Sequence, residues 1–114
     1  MALTKLEFYA MIKPFFEREF NPKETLQWLT ANKMMYFSWG CHSLRSFDDK
    51  ALAIKVSGHH HKGDIVITMG WDDTYTLTLI NTVGTIKETF TNIYCDQLAD
   101  FIDEKIERIS AYKR

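Results

Sequence analysis

His59-His60-His61 is the run in this sequence with the most obvious chemical capacity, and His42 is the remaining histidine. Neutral imidazole is a good ligand for zinc or copper, and two histidines on one face of a strand, such as His59 and His61, could share an ion. Three consecutive histidines cannot all point at one metal. A structural zinc site takes four ligands and a catalytic site three plus water. His59 and His61 would therefore have to recruit His42, Cys41 or an Asp from another segment, and none stands at a recognised motif spacing. With Gly58 before it and Gly63 after it, the run reads as a polar hairpin loop. The set His42, His59 and His61 is the metal alternative; no metal or cofactor is expected.

Cys41-His42 suggests a thiolate activated by imidazole. Consecutive side chains on an extended strand point to opposite faces, and such pairs normally come from separated segments, so Cys41 would need His59 or His61 instead. Asp48-Asp49 and Asp72-Asp73 could hold a divalent ion or share a proton, yet both pairs sit where turns are expected, and Asp favours turns by bonding to nearby backbone. No Asp-x-Asp-x-Asp-Gly loop, glycine-rich phosphate cradle, HExxH helix or GxSxG elbow occurs. Catalysis is accordingly not the expected function.

The aromatic residues carry a different capacity. Phe 8, Tyr 5 and Trp 3 make 14% of the chain, and Trp and Tyr are enriched at binding hot spots. Tyr36 and Trp39 carry bulk on both parities of one apolar run, more than a sheet covered on one face needs to bury. Trp71 ends the strand Ile65 to Trp71, on the parity of Ile65, Ile67 and Met69, just before the Asp72-Asp73 turn. The candidate binding residues are therefore Tyr36, Trp39, Trp71 and Asp72, together with the loop His59, His60 and His61. Stacking of nucleic acid on these rings is not expected, because no segment carries a basic stripe: the charge is -1, from 14 Lys and Arg against 15 Asp and Glu.

The elements that would position these residues can be read from period and punctuation. Thr4 and Glu7 form a capping box for a first helix, with Leu6, Tyr9 and Ala10 at helical spacing and Pro14 ending or kinking it near Lys13. Asn21 caps a second helix with Pro22 at its first position and Glu24 in its first turn, Leu26, Leu29 and Trp28 facing inward, and an end near Asn32. Met34 to Trp39 is apolar on both parities and stops at Gly40, which predicts a strand covered on both faces. Leu44 to Phe47 is a further strand. Ala51 to Val56, Ile65 to Trp71, Thr74 to Ile80 and Thr85 to Thr91 alternate with period two, as strands do. The links between them are too short for parallel crossovers and carry turn residues, so the strands pair as antiparallel hairpins. A last helix, capped by Asp96, turns Leu98, Phe101, Ile102, Lys105, Ile106, Ile109 and Tyr112 inward, with Asp100, Asp103 and Glu104 on its wet side.

The expected fold is α+β: a four- to five-stranded antiparallel meander with two N-terminal helices and one C-terminal helix packed mainly on one face. The threonine-rich parities then form an opposite, more polar face. At 114 residues the chain is expected to form a single domain, 1–114, that buries a sizeable core without disulfides or metal. Cys41 and Cys95 are too few for a disulfide framework. Met1 to Phe20 lacks the apolar core of a signal peptide, and no window approaches the roughly 18–20 apolar residues of a membrane span. These features predict a soluble, cytoplasmic, non-enzymatic binding or adaptor protein, monomeric or homodimeric, with an accessory or inhibitory role toward a protein partner, reached through a sheet surface and the His59-His61 loop, rather than toward a nucleic acid or a membrane. Two alternatives stand beside it: an enzyme using the histidine loop with Cys41, and a self-associating structural protein.

Overall fold

The alternating stretches form the strands that their parity predicts. The computed structural model describes residues 5–31, 33–58 and 60–106, with only the backbone described at Lys5, Met34, Met35, Phe37 and His42. In chain order these residues form α1 (Lys5–Ile12), a 3₁₀ turn (Lys13–Phe15), α2 (Pro22–Thr30), α3 (Lys33–Ser38), β1 (His42–Phe47), β2 (Ala51–Ser57), β3 (Lys62–Met69), β4 (Tyr75–Asn81), β5 (Ile86–Ile93) and α4 (Leu98–Ile106). The strands make one antiparallel meander in the order β1-β2-β3-β4-β5. The α+β class and the antiparallel sheet between helical ends are as the sequence predicts. No helix among the described residues is long and apolar enough to cross a membrane.

Register shows why this pairing buries the right faces. Leu52, Ile67, Leu77 and Phe90 stand opposite one another across four strands, and Ile54, Ile65 and Leu79 form the next row. Leu29 of α2, Trp39 after α3, and Leu98, Ile102 and Ile106 of α4 pack on these rows to make the larger core. Slipping one strand by a single residue would put its whole apolar set on the other face, so burial itself fixes the register. The opposite face is less polar than its threonines suggest. Phe47, Ala51, Ala53, Val66 and Ile80 form an apolar patch there, and Phe8 and Ile12 of α1 cover it. Phe8 and Ile12 are four apart and share one side of α1, which leaves Leu6 82% exposed.

The turns use the paired acids and asparagine as punctuation. Asp48 and Asp49 both take positive φ, 54° and 53°, while Lys50 N–H donates to Phe47 O at 2.8 Å. This makes a tight turn in a three-residue link, Asp48 to Lys50, across which Phe47 pairs with Ala51. Asn81 Oδ1 accepts from the backbone N–H groups of Val83 (3.2 Å) and Thr85 (3.0 Å) to close the β4–β5 turn.

The segment Met34 to Trp39 departs from expectation: it is not a strand but the short helix α3 and the residue after it. Gly40 has φ 63°, the left-handed geometry that commonly ends a helix, so the residue that suggested a strand end is a helix end. Tyr36 and Trp39, three apart, meet with ring centroids 5.7 Å apart, as one helix face requires. A second departure is Asp103, expected on the wet side of α4 but buried; its Oδ1 accepts from Trp39 Nε1–H at 3.0 Å. Thr4, Ile109 and Tyr112 lie outside the described residues.

Candidate binding groove

The turn that carries Trp71 is built by its neighbours. Asp72 Oδ1 accepts from Thr74 N–H at 3.1 Å and from Thr74 Oγ1–H at 2.7 Å. These donations to the charged form hold the Asp72 carboxyl below its ordinary value. Gly70 N–H reaches Thr74 O (2.9 Å), Asp73 N–H reaches Gly70 O (3.1 Å), and Asp73 takes a φ of 66°. With both acids committed to the turn, Trp71 is left 75% exposed.

The stretch between α1 and α2 runs past the foot of this turn. Arg18 N–H donates to Met69 O at 3.4 Å, extending the ladder beyond the end of β2, and Phe20 N–H donates to Asp49 O at 2.8 Å. The Arg18 guanidinium pairs with the Asp73 carboxylate, and Arg18 Nε donates to Glu19 O at 3.1 Å. An exposed pair of this kind contributes at most about 1 kcal/mol, so its consequence is to position the chain more than to stabilise it.

Asn21 then starts α2, its side chain accepting from Lys23 N–H at 2.9 Å with Pro22 in the first turn. The helix carries two stripes. Thr25 and Leu29 face the core, whereas Glu24, Gln27, Trp28 and Ala31, at i, i+3, i+4 and i+7, line a groove together with Arg18, Phe20, Met69, Asp73, Tyr75 and Cys95. The groove has a volume of about 990 Å³, within the size of ordinary ligand pockets. Trp28 was expected inward with Leu29; one position away on the helix, it stands 40% exposed over the groove instead. The wall opposite is firm. Tyr75 is buried with its hydroxyl 2.7 Å from Thr25 Oγ1, and its ring meets Phe20 edge-on at 6.0 Å. Burial raises the Tyr75 phenol above its ordinary value, so this wall stays neutral at physiological pH. Tyr94, beside the groove-lining Cys95, is also exposed.

The residues singled out from sequence do not come together. Trp71 and Asp72 lie at the groove end of the sheet. Tyr36 is half-buried, and Trp39 is fully buried, because they sit on a helix face turned to the core rather than on an open strand; Trp39 presents no surface to a partner. The histidine loop joins β2 to β3 at the other end. His60 is exposed, its N–H donates to Ile106 O at 2.7 Å, and its carbonyl accepts from Lys87 Nζ at 3.2 Å. His61 is buried with Nε2 3.2 Å from Asp64 O, and its carbonyl accepts from Gly58 N–H at 3.0 Å. Desolvation lowers the His61 pKa and favours the neutral ring. This loop clamps the end of α4. His59 lies outside the described residues, as does the side chain of His42. Among the described residues no group of three or more His, Cys, Asp or Glu side chains is arranged to hold a metal ion.

Cys41 lacks the surroundings of a nucleophile. Burial pushes its thiol up to about 11, against a smaller opposing effect of the Tyr36 side chain, and the thiol donates to the Tyr36 backbone carbonyl at 3.7 Å. At pH 8, alkylation of Cys41 by iodoacetamide should run roughly 10-fold slower than that of N-acetylcysteine, the scarcity of thiolate outweighing its greater intrinsic reactivity. Peptide mass spectrometry over a time course checks this; a rate above the model thiol would restore the nucleophile.

No protein-family model matches the chain, and no characterised protein or solved structure shows significant similarity to it.

Proposed function

We propose that this protein is a non-enzymatic binding or adaptor protein whose partner docks at the groove between α2 and the β3–β4 turn. The observation that carries the reading is the 75% exposure of Trp71 on a turn tied down by Asp72 and Arg18, next to a groove overhung by Trp28. A large ring held in water on a rigid mount is a suitable anchor, because little further ordering is required when a partner covers it. The raised Cys41 thiol argues against thiol catalysis. Working in the cytoplasm, where Cys41 and Cys95 remain free thiols, such a module acts as an accessory or inhibitor of its partner.

Affinity capture from the native cell, run in parallel with the wild type and with Trp28→Ser/Trp71→Ser, tests the proposal. Trp71 is 75% and Trp28 40% exposed, and neither belongs to the buried core, so the double variant should remain folded with only a modest fall in Tm. Quantitative mass spectrometry is expected to find at least one protein depleted by about 10-fold or more with the variant, as loss of two hot-spot rings predicts. The same proteins captured equally by both forms would overturn the reading.

A further inference from the structure

We infer that the groove receives an extended partner segment in which arginine or lysine alternates with apolar residues. This inference rests on the reading of the groove as a protein-binding site and adds the chemistry of its occupant. A second groove, of about 760 Å³, adjoins the first; Phe20 and Asn21 line both. Together they form a track along the chain from Arg18 to Lys23, past the ends of β1 and β3.

The charge along this track is acidic. Glu19, Glu24, Asp49 and Asp73 line the two grooves against Arg18 and Lys23. Beside them, Asp72 lies in the Trp71 turn, and the Glu17 carboxylate approaches Gly70, with its Oε1 3.3 Å from where a β-carbon would stand. Four lining carboxylates thus stand with two lining cations, one of which is already engaged by Asp73. The chain as a whole carries only -1, so this is a local excess. Acidic walls on a surface cleft attract cationic segments and repel acidic ones.

The rings favour the same occupant. Elsewhere the fold stacks its own cations on aromatic faces: Arg45 over Phe8 at 5.1 Å, and Lys105 over Phe90 and Phe101 at 5.0 and 5.3 Å. Among the described residues, no cation or ring stacks on Trp28 or Trp71. Guanidinium binds best over the face of a tryptophan, and nearby carboxylates would pair with its remaining donors. The apolar wall of Phe20, Met69 and Tyr75 meanwhile calls for apolar side chains between the charges.

Selection of a random dodecapeptide library displayed on phage tests this with a defined probe. The intact protein, Trp28→Ser/Trp71→Ser and Glu17→Lys/Glu24→Lys are used as targets, each first shown by circular dichroism to be folded. The expected result is enrichment on the wild type of peptides carrying two or more Arg or Lys among apolar residues. A synthetic consensus peptide should then bind at least 10-fold more weakly to either double variant, and more weakly as salt is raised. Enriched peptides that are neutral or acidic, yet still need Trp28 and Trp71, would overturn the cationic occupant and leave the binding groove standing. Failure of any peptide to distinguish the wild type from Trp28→Ser/Trp71→Ser would overturn both.

Discussion

Trp39→Ala is expected to lower the free energy of unfolding by about 3–5 kcal/mol, the range for truncating a buried aromatic. The corresponding fall in Tm is roughly 12–20 °C at ~4 °C per kcal/mol. Trp39 has no exposed surface and joins three parts of the fold. Its carbonyl accepts from Ser57 N–H at 2.8 Å, its ring packs in the larger core, and its Nε1–H serves Asp103 on α4 at 3.0 Å. Asp103→Ala leaves the indole donor unpaired inside the protein, a loss of about 1–3 kcal/mol. Asp103→Asn keeps an acceptor and should cost less. Urea unfolding of Trp39→Phe, Asp103→Ala and the pair gives the coupling between the two groups by a double-mutant cycle. A loss below about 1 kcal/mol for Trp39→Ala would contradict the burial of this ring, since core truncations cost more.

The misread segment around Trp39 shows where pattern reading stops. Met34 to Trp39 is apolar at nearly every position, so neither period two nor period 3.6 stands out, and six residues are too few for length to decide. What selects the helix is nonlocal: Trp39 needs the pocket beside Asp103, 64 residues away, and Gly40 supplies the left-handed turn into β1. β2, β3 and β4 were legible because alternation in each is confirmed by its neighbour's alternation, so one register satisfies all three. The same distinction separates Asp100, whose wet position on α4 is exposed as its helical spacing predicts, from Asp103, which is drawn inward by a partner no local rule reveals.

The candidate groove was legible only in part, and for the same reason. Trp71 was expected to end a strand on the parity of Ile65 and Ile67, but β3 stops at Met69 and the ring stands exposed in the turn that Asp72 and Asp73 build. Trp28 carried a usable signal: Glu24, Gln27, Trp28 and Ala31 fall on one helical stripe distinct from that of Thr25 and Leu29. Arg18 and Tyr75 carried none, since each is defined by a contact across 50 or more residues, to Asp73 and Thr25 respectively. The histidine loop lies at the opposite end of the sheet from Trp71, where the His60 N–H holds the end of α4 and the His61 ring bonds to Asp64 O.

The start of β3, just after the histidine loop, carries the second large effect. Gly63→Ala is expected to destabilise the protein by about 2–6 kcal/mol, combining about 1–3 for a strained backbone with about 1–3 for overpacking. Gly63 has φ 137°, outside the usual range of an L-residue, and a β-carbon there would lie 2.2 Å from Ile80 O on the adjacent strand. Gly58, which opens the loop between β2 and β3, has no left-handed backbone to maintain. Its β-carbon would instead strike Ile106 O at 2.3 Å, so Gly58→Ala should cost only the overpacking, about 1–3 kcal/mol, by pushing the end of α4 away from the His60 N–H. Thermal and urea unfolding of the two variants should rank them in that order. Both changes lie at the end of the sheet away from Trp71, so Gly58→Ala, where it remains folded, should bind a groove-directed peptide within about 2-fold of wild type, as distant independent sites do. Loss of that binding in a folded Gly58→Ala protein would return the histidine loop to the binding site; equal destabilisation by the two alanines would mean that steric contact alone, without backbone conformation, sets the requirement for Gly63.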